Sequence, residues 1–206
     1  TPPSRLKAFS KSLDPDMSRA PAWLTARPIA HRGLHDRARG IIENMPSAID
    51  AAVARNFAIE VDLQPSADGE AMVHHDYVLG RLAEGTGELL SLTSEQLKQA
   101  VFKNTSDRMM TLGDLCARVA GKVPLVLEIK SRFDGSRTLV KRMAEVLASY
   151  KGPVAAMSFD PDQVAAVREV MPQLTRGIVA ERHYVDGEWK QLPPQKIHEM
   201  TALRHA

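Results

Sequence analysis

The sequence predicts an α/β fold, a parallel sheet covered by helices, and three observations carry that prediction. Short apolar runs alternate with amphipathic segments along most of the chain, the pattern of strands followed by covering helices. The length, 206 residues, fits one medium domain. Apolar residues make up 44% and charged residues 25%, and a chain of this size buries roughly 70% of its unfolded surface, so no disulfide or metal staple is required.

The elements follow in order. Residues 1–26 read as a Pro-rich N-terminal extension with one sticky stretch at Trp23 and Leu24, and residues 27–206 as the folded domain. Arg27 to His31 reads as a short strand and Gly33 to Asn44 as a loop. Pro46 to Asn56 reads as a helix, with Pro46 in its first turn and Ile49, Ala52 and Val53 on one face. Ala58 to Leu63 is a strand, and Ala71 to His75 another after the Asp68-Gly69 turn signal. Thr93 with Gln96 reads as a capping box opening a helix, and Thr111 with Asp114 as a looser one. Pro124 to Ile129 is an apolar strand, and Leu139, Met143, Val146, Leu147 and Tyr150 form a helical stripe. Val154 to Met157 is a strand, and Asp160-Pro161 caps a helix carrying Val164, Val167 and Met171. Thr175 to Ala180 is the sixth strand candidate, and a last helix is expected from Gln195 to Leu203. A (β/α)8 barrel and an open doubly wound sheet both satisfy this alternation.

Composition excludes several function classes. Lys and Arg number 27 against 25 Asp and Glu, so no strong basic field points to nucleic acid or an anionic membrane. No run reaches the ~18 apolar residues of a membrane span. The single Cys116 excludes an internal disulfide framework, and its place on a stripe with Leu112, Leu115 and Val119 predicts a core position. The chain does not open with Met, which implies a trimmed or processed N-terminus, and a soluble cytoplasmic protein is expected. The usual dinucleotide, P-loop and serine-hydrolase motifs are absent.

Chemistry concentrates on a few strand ends. In Ala58 to Leu63, period two puts Ile59, Val61 and Leu63 on one face and Glu60 and Asp62 on the other. Two carboxylates on an inner sheet face are costly to bury unpaired, and a hard divalent cation relieves that cost; a solvent-facing polar side is the simpler alternative. Leu125 to Lys130 repeats the pattern, with Glu128 and Lys130 opposite Leu125, Leu127 and Ile129. Glu128 is thus a third candidate ligand and Lys130 a point charge for phosphate, unless the two merely form a salt bridge. His31 and His75 fall at comparable strand ends, where α/β sites sit, and two imidazoles can divide general acid and base work. Arg32 offers a planar fork to an anion. His35, His74, His183, His198 and His205 have no clear partner, and His74 is expected to point away from the face that His75 occupies.

Six runs in order resemble the glycerophosphodiester phosphodiesterase family: Ile29-Ala-His-Arg-Gly33, Glu43-Asn44, Glu60-Val-Asp62, Val73-His-His-Asp76, Leu127-Glu-Ile-Lys130 and Ser158-Phe-Asp-Pro161. Leu92 to Leu97 and Thr111-Leu112 add minor matches, so the likeness runs from about Pro28 to Ala180. Met45 stands where the family usually has Thr. The resemblance implies a (β/α)8 barrel and cleavage of glycerol phosphodiesters to glycerol 3-phosphate and an alcohol. Glu60, Asp62 and Glu128 would hold Mg2+ or Ca2+, His31 and His75 would be the acid/base pair, and Arg32 and Lys130 would face the phosphate. Glu43 and Asn44 would have supporting roles. In the family's mechanism one imidazole helps a glycerol hydroxyl attack phosphorus, the other protonates the alcohol, and water opens the cyclic phosphate. A full barrel takes about 250 residues, and 26 follow Ala180, so ordinary seventh and eighth βα units do not fit. The chain is therefore expected to be a fragment, an incomplete barrel or one closed by a partner. Small-molecule glycerophosphodiesters are the expected partners, and a homo-oligomer is possible on this reading. Two alternatives keep the same site: action on lysophospholipid or sphingomyelin headgroups, and a non-catalytic glycerophosphodiester-binding module.

Overall fold

Two-residue alternation along the strands sets the architecture. The computed structural model describes residues 20–184, 189–190 and 192–203. In chain order the elements are α1 (Ala22–Thr25), β1 (Ile29–Ala30), α2 (Pro46–Ala54), β2 (Ala58–Pro65), β3 (Ala71–Val73), β4 (Val78–Leu79) and β5 (Gly87–Glu88). Then come α3 (Ser94–Gln99), α4 (Leu112–Val119), β6 (Leu125–Ile129), α5 (Thr138–Leu147), β7 (Val154–Ser158), α6 (Pro161–Val170), β8 (Thr175–Ile178) and α7 (Pro194–Leu203). Most of the N-terminal extension and His205 lie outside the described residues, and α1 buries nothing.

The main sheet runs β1-β2-β6-β7-β8, and every pair along that path is parallel. Spatial order follows chain order with no reversal, which is the winding of a barrel; a doubly wound sheet reverses at a switch point. The helices support the same reading. Ile59, Val61, Leu63, Leu125, Leu127 and Ile129 form one buried cluster with Ile49 and Ala52 of α2, Leu115 and Cys116 of α4, Val140 and Met143 of α5, and Val167 of α6. The strand residues between them, Glu60, Asp62, Gln64 and Glu128, therefore belong to the opposite face.

One strand departs from expectation. Ala71–Val73 is not a further parallel strand: it pairs antiparallel with β2, Leu63 against Val73 and Pro65 against Ala71. The Ser66–Glu70 connection is a tight turn, closed by Ser66 N–H to Glu70 O at 3.0 Å, whereas a parallel return needs a crossover of a dozen or more residues. His74 and His75 therefore follow a hairpin strand, and the described sheet holds five parallel strands, one fewer than the six strand candidates suggest.

The predicted caps form as expected. Thr93 with Gln96 and Thr111 with Asp114 are both closed capping boxes, and Asp160 accepts from Asp162 N–H at the start of α6. Residues between β3 and α4 cover a second apolar cluster of Ile42, Met45, Met72, Leu82, Leu89, Leu97, Phe102 and Met109. A third, Tyr184, Trp189 and Met200 with Phe133 and Phe159 against them, packs near the ends of β6 and β7.

Gly33 holds the turn that leaves β1. Its φ is +79°, and its N–H lies 3.2 Å from both Ala30 O and Glu60 O. An added Cβ would stand 2.9 Å from Ala48 Cβ and 3.0 Å from the Ala48 carbonyl carbon. Gly33→Ala should therefore cost about 1–3 kcal/mol, read as a lower urea midpoint at unchanged slope.

Candidate active site

Strand register brings three carboxylates together. Asp62 pairs directly with Glu128 across β2 and β6, and Glu60 lies two residues back on the same face of β2. One oxygen from each lies within 4.8 Å of the others, and all three residues are buried. Glu60 Oε2 accepts the Arg32 backbone N–H at 2.8 Å, while its buried Oε1 has no partner. Burial first, then the Asp62 charge, pushes the Glu60 carboxyl up to about 8. Burial also raises Glu128, against the opposing pull of Lys130. A buried oxygen without a donor, in an all-oxygen set of three, suits a hard divalent cation.

Cations and an amide surround this cluster. Lys130 Nζ lies 3.3 Å from Glu128 Oε1 and 4.0 Å from Asp62 Oδ1, so the salt bridge weighed from sequence does form. Arg32 Nε is 3.3 Å from Asp62 Oδ2. Asn44 donates from Nδ2 to Asp62 Oδ2 at 2.9 Å and accepts the Asp62 N–H at 3.3 Å. Arg32 and Asn44 both have left-handed backbone, φ 55° and 60°, strain of the kind that collects at functional sites. Asn tolerates this conformation better than most residues.

The two imidazoles occupy different surroundings. His75 Nδ1 lies 2.9 Å from Asp76 Oδ1 and its Nε2 3.4 Å from Lys130 Nζ. His31 is largely exposed, with Nε2 4.0 Å from Glu60 Oε2, and partial desolvation of its ring followed by the Arg32 charge holds it below its ordinary 6.5. All nine residues singled out from the sequence thus gather at one end of the sheet, His31 being the least enclosed. His74 points elsewhere, as expected, buried with its ring edge against Phe102. His35, His183 and His198 are exposed.

Three further residues shape the site and were not singled out from the sequence. Gln64 Nε2 donates to the backbone carbonyls of His74, His75 and Asp76 at 3.3, 2.6 and 2.8 Å, pinning the loop that carries His75. Its place on the Glu60–Asp62 face is the signal that could have found it. Asp76 is the partner of His75, and Arg81 joins Asp76 to Glu43. Arg81 lies in a loop where no periodicity operates. A cleft of about 220 Å³ opens beside Gln64 and Lys130, walled in part by Tyr77, Ser131 and Arg132.

Residues 31–203 match the sequence profile of the glycerophosphoryl diester phosphodiesterase family. The chain belongs to that family. A family protein from Caldanaerobacter subterraneus, named glycerophosphodiester phosphodiesterase, is 27% identical over 73% of this chain and 65% of its own length. Human glycerophosphodiester phosphodiesterase 1 is 40% identical over 78% of this chain and 52% of its own length. The chain spans less than two thirds of these curated relatives. Among solved structures, an Oleispira antarctica phosphodiesterase in complex with the product sn-glycerol-3-phosphate gives a TM-score of 0.69. It is 20% identical, with 87% of this chain and 82% of that chain covered. The fold is therefore that of the phosphodiesterase family's (β/α)8 barrel, with five parallel strands among the described residues.

The raised Glu60 carboxyl has a consequence for stability. Its folded pKa, about 8, lies above the ordinary 4.5, so between those values the folded chain keeps a proton that the unfolded chain has lost. In chelator, the Glu60 contribution should be fully present below about pH 4.5 and fade as pH rises through 8. At pH 8, Mg2+ or Ca2+ should raise the thermal midpoint of the wild type. Glu60→Gln should lose both the pH-dependent contribution and the response to metal, as calorimetry would show.

Proposed function

We propose that the chain hydrolyses glycerophosphodiesters to glycerol 3-phosphate and an alcohol, with a divalent cation, Mg2+ or Ca2+, and His31 and His75 as the acid/base pair. One observation carries the reading: three buried carboxylates with an unpartnered oxygen lie between two cations and two imidazoles at one sheet end. Family membership and a relative solved with sn-glycerol-3-phosphate support the substrate class.

Glu60, Asp62 and Glu128 would hold the cation, which when bound neutralises charge on the phosphoryl oxygens. Arg32 and Lys130, 3.3 and 4.0 Å from the Asp62 carboxylate, would bind the phosphate. Asp76 accepts the Nδ1 proton of His75, which leaves Nε2 as the atom that exchanges a proton with substrate. One imidazole takes the proton of a glycerol hydroxyl as its oxygen attacks phosphorus. The other gives a proton to the departing alcohol oxygen, and water then opens the cyclic phosphate as the roles reverse. Glu43 steadies Arg32 at 2.8 Å, and Asn44 steadies Asp62. On this reading residues 27–206 form the working domain, the substrate is a small diester, and the compartment is the cytoplasm.

Release of glycerol 3-phosphate from glycerophosphocholine should be seen with Mg2+ or Ca2+ and be lost with chelator. His75→Ala should lower turnover at least about 100-fold while circular dichroism stays unchanged. Full activity in that variant would overturn the acid/base assignment, and no release by a folded, metal-loaded sample would overturn the reaction. Lysophosphatidylcholine and sphingomyelin, run in parallel, separate the lipid-headgroup reading.

A further inference from the structure

Two loops carry the polar groups around the carboxylate cluster. One, after β1, brings His31, Arg32, Glu43 and Asn44; the other, after β3, brings His75 and Asp76. Arg81 stands between them. Its Nε and Nη2 approach Asp76 side-on, at 2.6 Å to Oδ2 and 2.9 Å to Oδ1. Its Nη2 and Nη1 approach Glu43 end-on, at 2.7 Å to Oε1 and 3.2 Å to Oε2.

We propose that Arg81 is a positioning residue, whose guanidinium locks the His75 loop to the Arg32 loop and fixes the plane of the Asp76 carboxylate that orients His75. The proposal rests on the acid/base reading of His75 above. Both Asp76 oxygens are engaged by Arg81, and Oδ1 is shared with His75 Nδ1. The carboxylate cannot swing without breaking two hydrogen bonds, so the imidazole it holds keeps one orientation. Glu43 is shared in the same way, between Arg81 and Arg32 at 2.7 and 2.8 Å. The chain of contacts therefore runs from Asp62 through Arg32, Glu43, Arg81, Asp76 and His75 to Lys130, and returns to the carboxylate cluster through Glu128.

Arg81 is 44% exposed, so net Coulomb attraction in water is a weak reason for its place. Geometry is the stronger one. The backbone on either side is clamped: Lys103 Nζ donates to Gly80 O, Lys103 N–H donates to Leu82 O at 2.8 Å, and Leu82 is buried in the second apolar cluster. A fixed base thus delivers a planar fork to two carboxylates. An ammonium carries the same charge but cannot engage both edges at once.

The test compares wild type with Arg81→Lys and Arg81→Gln in the full chain. With glycerophosphocholine and Mg2+, both variants should lose about 10- to 100-fold in kcat with little change in KM, as a positioning residue with no substrate contact would. In 15N spectra assigned against His75→Ala, wild-type His75 should show a single Nδ1–H tautomer, and both variants a mixture. A folded Arg81→Lys with wild-type kcat and unchanged imidazole signals overturns the proposal, since charge alone would then suffice. A rise in KM at constant kcat also overturns it, making Arg81 a substrate contact. Loss of kcat only in step with the folded fraction, with unaltered His75 signals, would reduce Arg81 to a stability residue. Should the wild type hydrolyse no diester, the proposed reaction fails while the imidazole spectra still decide the role of Arg81.

Discussion

Three carboxylates on two adjacent central strands are the constraint on which this site depends. β2 is hydrogen-bonded to β1 on one side and β6 on the other, and β6 to β2 and β7, so neither strand can shift to separate the charges. The pairing of Asp62 with Glu128 makes their proximity a property of the backbone. What remains adjustable is the surroundings, and every nearby element responds. The β1 turn supplies the Arg32 N–H and guanidinium, the following loop supplies Asn44, and the end of β6 supplies Lys130.

The alternation that creates this problem also isolates it. Ile59, Val61, Leu63, Leu125, Leu127 and Ile129 bury against the helices on the other face. Stability and chemistry are thus divided between the two faces of the same strands, and a charge change on one face leaves the apolar packing of the other in place. The antiparallel β3 extends this division. By folding back on β2 it carries His74 into the second apolar cluster's neighbourhood and leaves His75, one residue later, beside Lys130.

Much of this was legible in the sequence because it obeys short-range rules. The period-two pattern assigned Glu60, Asp62 and Glu128 to one face, and the caps at Thr93, Thr111 and Asp160 marked helix starts correctly. The strand at Ala71–Val73 is legible but its direction is not, even with the turn signal at Asp68-Gly69: an apolar run reads the same in either direction, and only the brevity of the turn decides. Gln64 shares the face of Glu60 and Asp62 and was open to the same argument. Arg81 was not, because its meaning depends on Glu43, thirty-eight positions away, and Asp76 meeting across a loop whose course no pattern dictates.

Charge balance ties the two loops and the strands into one unit. Among the described residues of this network, the carboxylates Glu43, Glu60, Asp62, Asp76 and Glu128 face the cations Arg32, Arg81 and Lys130. Five negative groups against three positive leave a deficit of two, and two is the charge of the cation that the cluster suits. Protonation of Glu60, whose carboxyl is pushed up to about 8, is the partial substitute the protein itself can supply. It falls on Glu60 because burial and the Asp62 charge bear on that carboxyl, while hydrogen bonds from Arg81 and Arg32 hold Glu43, against burial, down at about 2. The outer part of the network is thus neutralised by arginine forks and stays ionised at any physiological pH. The residual charge is concentrated on the three buried carboxylates, where a divalent ion and a proton compete for the same oxygens.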